Sequence, residues 1–279
     1  MMPGLGVAFV TFLSAGMLSV FGGPAAAAGE TNGSAKNKTT VYLAGDSTVA
    51  NYPASVRPMA GWGQKIGEFF TKDVKFENRS AGGRSSKSYV LEGHLDRLLA
   101  RIRPGDYLFA QFGHNDKPYT DSLCSSNKLY CNRHTEPGTS YKKYLAKYID
   151  GARKRGATPV LVTPMGTRNF DQNGRFRNEF TKYSEAMKQL GAERKVPVID
   201  LNSMSIAHYN QVGVEGTKRL FLYCKPGEYP AYPSGQADRV HFQEFGARRL
   251  ARMVAEAVRD SHLPIARYAM TRSAVPPTG

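Results

Sequence analysis

The chain has few of the residues that commonly hold metals or form redox centres. It contains three cysteines and six histidines among 279 residues, and it has neither a Cys-x-x-Cys pair nor a His-Glu-x-x-His motif. Those spacings are the usual signatures of zinc and dithiol sites. Metal and cysteine chemistry therefore receive little support, and we expect neither a metal nor a cofactor.

Charged residues are absent from the first 28 positions. Residues 7–21 are mostly apolar, and a run of alanines ends at Ala28. This pattern predicts a secretory signal peptide at 1–28, cleaved near Ala28, although its start has no basic residue. An uncleaved anchor is the alternative, but the apolar stretch is short for a membrane span. We therefore expect a secreted protein that has no membrane contact after cleavage, with a flexible segment at 29–39.

Three cysteines in a secreted chain allow one internal disulfide and leave one thiol. Cys124 and Cys131 lie in a polar segment after the third predicted strand and are the expected pair. Closing such a small loop would contribute roughly 2–3 kcal/mol on the chain-entropy model. Cys224 is then predicted to be a buried free thiol.

Acidic residues are outnumbered, 23 against 38 lysines and arginines, which gives a net charge of +15. The excess indicates an anionic partner. The basic residues are spread along predicted helices and do not form a recognised nucleic-acid-binding module. For a secreted protein we expect a polyuronide such as pectin and no nucleic acid. The alternative is that these residues form solvated helix faces that keep the protein soluble.

Short apolar runs alternate with segments of helical periodicity, which predicts a three-layer α/β/α fold with a parallel, doubly wound, flavodoxin-like sheet. The length would also permit two domains, but no boundary is evident, and we assign one domain to 40–265 and a disordered tail to 266–279. The predicted strands are 40–44, 74–77, 107–112, 159–163 and 196–201. The predicted helices are 63–70, 89–102, 140–154, 178–194 and 244–260.

Candidate catalytic residues follow the predicted strands, where open parallel sheets bind ligands. Ser47 follows the first strand, and Asp238 and His241 lie three residues apart in a predicted loop before the last helix. A serine becomes a good nucleophile when an imidazole accepts its proton and a carboxylate orients that imidazole. These three residues could form such a triad.

Four sequence blocks resemble those of the SGNH (GDSL) hydrolase superfamily. They are Gly-Asp-Ser at 45–47, Ala-Gly-Gly-Arg-Ser at 81–85, Gly-His-Asn-Asp at 113–116 and Asp-Arg-Val-His at 238–241. Gly-Trp-Gly at 61–63 and Gly-Arg-Ser-Ser-Lys-Ser-Tyr at 83–89 make the chain most similar to rhamnogalacturonan acetylesterases, carbohydrate esterase family 12. The resemblance covers about residues 40–263. It implies Ser47 as nucleophile, His241 as base and Asp238 as its orienting acid.

The resemblance also implies an oxyanion hole made by the backbone N–H groups of Ser47 and Gly83 and the side chain of Asn115. Glycine suits the second position because no Cβ blocks the approach of substrate. Gly83 is preferred to Gly82 because it directly precedes the Arg-Ser of the family pattern. Where the family commonly has a second acid after the triad aspartate, this chain has Arg239, which alters local charge without removing a triad member.

Several of these residues also have structural interpretations. Ser47 alone could cap a helix or a turn. His114 adjoins Asn115 and is a rival base, but the family pattern favours a structural or substrate-lining role. Trp62 could equally pack in the core or form a sugar platform, and Arg84 could bind a galacturonate carboxylate or form an ion pair.

The sequence therefore predicts a secreted, monomeric serine esterase that removes O-acetyl groups from a plant cell-wall polysaccharide, with acetylated rhamnogalacturonan as the first choice. An acetylxylan esterase or a broader acetylesterase is the alternative, because the triad specifies hydrolysis of an ester but says little about the alcohol part of that ester. A lipase is disfavoured because no long apolar lid is evident. A polysaccharide-binding protein without catalytic activity is the alternative from another class.

Overall fold

A computed structural model describes residues 38–118, 125 and 132–271. The predicted signal peptide, the Cys124–Cys131 disulfide and the last eight residues of the predicted tail lie outside these described residues. Within them, we find no helix with the length and apolar character needed to cross a membrane.

The central sheet has five parallel strands in the order β3-β1-β4-β5-β6, and a smaller antiparallel sheet has the order β2-β8-β7. The strands are β1 (Thr39–Gly45), β2 (Met59–Ala60), β3 (Val74–Asn78), β4 (Tyr107–Gln111), β5 (Thr158–Val162), β6 (Val198–Ile199), β7 (Phe221–Cys224) and β8 (Gln236–Gln243). When only the five strands of the large sheet are numbered along the chain, their spatial order is 2-1-3-4-5, which is the flavodoxin-like arrangement. The predicted fold class is confirmed.

Helices cover both faces of the large sheet. They are α1 (Trp62–Lys65), α2 (Ser86–Leu91), α3 (His94–Leu99), α4 (Lys142–Lys154), α5 (Thr181–Arg194), α6 (Leu201–Gly216) and α7 (Glu244–Arg259). Along β1, Val41 and Leu43 belong to one hydrophobic core and Tyr42 and Ala44 to the other. Successive side chains of a strand point to opposite faces, so this alternation produces the three layers.

Three helical segments differ from prediction. The helix predicted at 63–70 is the short helix α1 followed by a 3-10 helix at Ile66–Phe69. The helix predicted at 89–102 is divided into α2 and α3 at Gly93, whose φ of 72° lies in the left-handed region that glycine tolerates. Helix α6 was not predicted, because the serines and asparagines of its first two turns obscure the apolar periodicity. Its N-cap is Asp200, whose side chain accepts from the backbone N of Ser203.

The predicted disordered tail is wrong for residues 266–271. Pro264–Tyr268 forms a 3-10 helix, and Ile265 is buried in the core beneath it. The backbone N of Met270 donates to the carbonyl of Phe69, and the carbonyl of Tyr268 accepts from the N of Thr71. One buried apolar side chain and two backbone hydrogen bonds therefore hold this segment against the domain.

Candidate active site

Ser47 is presented by a buried turn at the carboxyl end of β1. Every other residue between Val41 and Ala50 is buried, whereas Ser47 is only partly covered. The carboxylate of Asp46 accepts from the backbone N of Thr48 at 2.9 Å and from its hydroxyl at 2.6 Å. Asp46 therefore holds the turn and leaves Ser47 as its one partly exposed residue.

A chain of buried hydrogen bonds supports this turn from below. Trp62 Nε1 donates to Gln111 Oε1 at 2.7 Å, and Gln111 Nε2 donates to Thr48 Oγ1 at 2.8 Å. Trp62 is only 1% exposed, so its interpretation as a sugar platform is wrong. Its indole instead packs in the core and connects the end of β4 to the nucleophile turn.

Asp238 and His241 lie in strand β8 rather than in the predicted loop. Phe221 pairs with Phe242 and Tyr223 with Ala237, so a single residue of β7 faces residues 238–241 of β8. This bulge redirects the side chains of β8, a device that is common beside active sites. The residues of β8 show no regular alternation because the bulge interrupts the period of two.

The bulge completes a chain of hydrogen bonds with Ser47. His241 Nδ1 lies 2.7 Å from Asp238 Oδ2, and His241 Nε2 lies 2.9 Å from Ser47 Oγ. A carboxylate can only accept, so Nδ1 carries the hydrogen and Nε2 of the neutral imidazole is left as the acceptor for the serine hydroxyl. The three side chains thus have the geometry of a serine nucleophile, a general base and an orienting acid.

Asp238 is held in its charged form. Burial acts to raise its pKa, but the hydrogen bond and charge of His241 outweigh it. The carboxylate also accepts from the backbone N of Val240 at 2.7 Å and of His241 at 3.0 Å, and the pKa falls to about 2. The carboxylate of Asp238 is therefore negatively charged at neutral pH and can accept the hydrogen bond from His241 Nδ1.

Gly83 and Asn115 lie on two segments close to the turn that carries Ser47. Asn115 Nδ2 is 3.3 Å from the carbonyl of Arg84, and a Cβ on Gly82 would lie 3.7 Å from the Cβ of Ser47. Gly83 has a φ of 74°, which a residue with a Cβ would adopt only with strain. The glycine turn thus lies beside the nucleophile and is joined to the segment that carries Asn115.

Asp116, which the sequence analysis did not single out, ties these segments together. It is fully buried and accepts from Ser86 Oγ at 2.5 Å and from Thr135 Oγ1 at 2.8 Å. Burial raises its pKa to about 7, against the opposing effect of these hydrogen bonds. Because Ser86 begins α2 directly after the glycine turn, the carboxylate links that turn to Asn115. Its only sequence signal was its place at the end of the third block.

A small pocket opens over Ser47 Oγ. It has a volume of about 210 Å³, and Phe180 and Val240 form apolar parts of its lining together with Thr167. Lys117 also lines it, with its ammonium 4.7 Å from the centre of the Phe180 ring and 3.7 Å from Glu179 Oε1. A pocket of this size accommodates a short acyl group.

His114 lines the same pocket but does not contact Ser47. Its Nε2 lies 3.1 Å from the carbonyl of Met165, and its Nδ1 lies 3.4 Å from Asp46 Oδ2. Burial acts to raise the pKa of Asp46, but His114 and the hydrogen bonds from Thr48 outweigh it and lower the pKa. His114 is therefore a lining residue that is hydrogen-bonded to the carbonyl of Met165 and lies close to Asp46, and His241 is the imidazole placed to act on the serine.

Two other residues singled out in the sequence, Arg84 and Arg239, have structural partners. Arg84 Nε donates to Glu92 Oε2 at 2.8 Å and Nη1 donates to the carbonyl of Gly82, the ion-pair alternative. Arg239 Nε donates to the carbonyl of Arg168 at 3.2 Å. Cys224 is free, as expected, but it is half-buried rather than buried. Among the residues described, no cluster of three His, Cys, Asp or Glu side chains is placed to hold a metal.

The sequence of this chain is similar to those of known proteins over most of its length. The model of the GDSL-like lipase/acylhydrolase family matches residues 43–249, a span that contains Ser47, Gly83, Asn115, Asp238 and His241. The rhamnogalacturonan acetylesterase RhgT of Bacillus subtilis (strain 168) is 42% identical over 238 residues, covering 85% of this chain and 97% of that protein. The rhamnogalacturonan acetylesterase of Emericella nidulans is 40% identical over 199 residues, covering 65% of this chain and 75% of that protein.

The fold is similar to that of solved structures. An acetylxylan esterase from Geobacillus stearothermophilus, Axe2, has a TM-score of 0.55 at 15% identity, covering 78% of this chain and 93% of that one. At that identity the similarity supports the fold alone.

Proposed function

We propose, because the chain belongs to the GDSL-like lipase/acylhydrolase family, that it is a serine acetylesterase whose substrate is acetylated rhamnogalacturonan of pectin. The single observation that carries the proposal is the hydrogen-bonded chain from Asp238 through His241 to Ser47 Oγ. The two rhamnogalacturonan acetylesterases at 42% and 40% identity support the substrate class. In keeping with the leader predicted from the sequence, we propose that the enzyme acts outside the cell and as a monomer.

In the proposed reaction, Ser47 Oγ attacks the carbonyl carbon of an acetyl ester while His241 Nε2 accepts the hydroxyl proton. The negative charge that develops on the carbonyl oxygen is stabilised by the backbone N–H groups of Ser47 and Gly83 and by the side chain of Asn115. His241 then donates the proton to the departing sugar oxygen. Water, activated by the same imidazole, hydrolyses the acetyl-serine and releases acetate.

The pocket predicts a preference for short acyl groups. Phe180 and Val240 line it together with Ser47, and its volume is about 210 Å³. A long acyl chain would have to leave this pocket along the protein surface. We therefore expect hydrolysis rates on model esters to fall steeply from acetate to octanoate.

The test is acetate release from acetylated rhamnogalacturonan and from acetylated xylan, measured side by side with the wild type, Ser47→Ala and Asn115→Ala. We expect release from the pectic polymer, only a trace with Ser47→Ala, and a loss of roughly 100- to 1,000-fold in kcat with Asn115→Ala. The Lys154→Gln substitution, on an exposed residue of α4, is the matched control and should leave the rate unchanged.

Preferential release from xylan would replace rhamnogalacturonan by acetylxylan as the substrate. Equal release from both polymers would indicate a broad acetylesterase. An unchanged rate with Ser47→Ala would refute the catalytic assignment, and no release in any assay would favour a binding protein.

A further inference from the structure

A second cavity lies beside β8, the strand that carries Asp238 and His241. It has a volume of about 860 Å³ and follows β7 between the 3-10 turn Thr217–Arg219 and the loop after Cys224. Ligand sites commonly have volumes of about 300–1,000 Å³. We call this cavity the β7 groove, and its charged lining residues are Lys218, Arg219, Lys225 and Glu228.

The groove has more positive charge than its surroundings neutralise. Lys218 Nζ lies 2.8 Å from Glu215 Oε2, and Glu228 Oε2 accepts from the backbone N of Lys225 at 2.8 Å. In the described part of the chain, no carboxylate forms an ion pair with Arg219 or with the ammonium group of Lys225. Two cations therefore lack an ion-pair partner there, and with Glu215 and Glu228 counted the three basic groups of the groove leave a net charge of +1.

Aromatic rings stack on Arg219 of the groove and on Arg168, which is buried behind it. The guanidinium carbon of Arg219 lies 4.8 Å from the centre of the Phe245 ring, and that of Arg168 lies 4.5 Å from the centre of the Tyr223 ring. A cation stacked on a ring loses less side-chain freedom when it binds a ligand. Tyr223 and Phe245 also line the groove, and their apolar surface can contact the C–H groups of a sugar ring.

None of the described lining residues belongs to both the groove and the pocket over Ser47, but two chain segments connect the two cavities. Ala237 lines the groove and directly precedes Asp238 of the triad in β8. On the neighbouring segment, Thr167 lines the catalytic pocket, and Arg168, the next residue, donates from Nη1 to the hydroxyl of Tyr223 at 2.9 Å. One polymer chain could therefore contact both cavities.

We infer that the β7 groove is a polysaccharide subsite in which Arg219 and Lys225 bind the carboxylates of uronate residues remote from the acetyl group being removed. This inference rests on the proposed function, because it assigns the anionic polymer as the ligand. The inference gives a specific role to two of the basic residues that contribute to the net charge of +15. The sequence alone indicated an anionic partner but did not locate its binding site.

The test compares the double variant Arg219→Gln/Lys225→Gln with a control, Lys154→Gln/Arg155→Gln, which removes two exposed charges at the end of α4. Acetate release is measured with acetylated rhamnogalacturonan and with p-nitrophenyl acetate at low and high salt. We expect the groove variant to raise KM for the polymer about five- to tenfold at low salt and to leave turnover of p-nitrophenyl acetate unchanged. High salt should reduce the difference in KM between the groove variant and the wild type, and the control variant should have the KM of the wild type.

Binding to polygalacturonate, measured by affinity electrophoresis with Ser47→Ala and with neutral xylan as reference, separates this inference from the proposed function. Retardation that disappears in Ser47→Ala/Arg219→Gln/Lys225→Gln supports the groove even if no acetate is released from the polymer. Equal retardation of the groove and control variants, a KM for the polymer within twofold of the wild type, or equal effects of the two double variants would overturn it.

Discussion

Replacing Trp62 by phenylalanine tests whether this residue supports the nucleophile turn from the core. The substitution removes the N–H that donates to Gln111 Oε1, and both residues are only 1% exposed. A buried acceptor that loses its donor costs about 1–3 kcal/mol. The smaller ring leaves unfilled space that costs roughly 1–2 kcal/mol more.

We therefore expect the free energy of unfolding to fall by about 2–5 kcal/mol. For a domain of this size, that corresponds to a decrease in Tm of roughly 4–20 °C. Because Gln111 also donates to Thr48 beside the nucleophile, kcat should fall several-fold while KM for the polymer stays unchanged.

Thermal unfolding followed by circular dichroism gives the stability change, and initial rates of acetate release give kcat and KM. Leu91→Ala is the control, since Leu91 is 63% exposed and should change stability by less than about 0.5 kcal/mol. A Trp62→Phe variant with an unchanged Tm and an unchanged kcat would refute this reasoning.

Two further predictions concern Asp238, and a third concerns the packing of Gly246. Asp238→Asn should lower kcat roughly 10⁴-fold, because the amide no longer fixes the tautomer of His241, whereas a loss below tenfold in rate assays would contradict the assigned role. The pKa of Asp238 is lowered from 3.8 to about 2, so its stabilising contribution is complete above pH 4 and is lost as the pH falls towards 2. Urea unfolding should therefore show the stability advantage of the wild type over Asp238→Asn shrinking across that interval, and a constant advantage would refute the linkage. Gly246→Ala should destabilise by about 1–3 kcal/mol or more, because its Cβ would lie 2.0 Å from the carbonyl of Leu220, whereas Gly138→Ala meets no atom within 4 Å and should be neutral in the same thermal assay.

The layered fold was predictable because buried parallel strands carry their own signal. Residues on both faces of β1, such as Val41 and Tyr42, are buried, so the strand consists of consecutive apolar side chains. The candidate triad was predictable for a different reason. Ser47 and His241 lie in blocks whose residue types and order resemble a known family, and the match of the family model to residues 43–249 confirms that resemblance.

The antiparallel sheet was not predictable by the same means. Strand β8 is largely exposed, and its bulge breaks the period of two on which recognition of a strand depends. Helix α6 has serines and asparagines where an amphipathic pattern would require apolar residues. Both elements are stabilised by tertiary contacts that leave little trace in local sequence.

The amino-acid sequence by itself determined the α/β class, the five strands of the parallel sheet and the chemical types of the candidate catalytic residues, because burial and reactivity are properties of individual side chains. Only the tertiary structure decided which polar residues meet. It buried Trp62 beneath the nucleophile turn, paired Arg84 with Glu92, and used the bulge in β8 to bring His241 within 2.9 Å of Ser47 Oγ. Those contacts depend on backbone paths that join residues far apart in the chain, and local sequence patterns do not specify such paths.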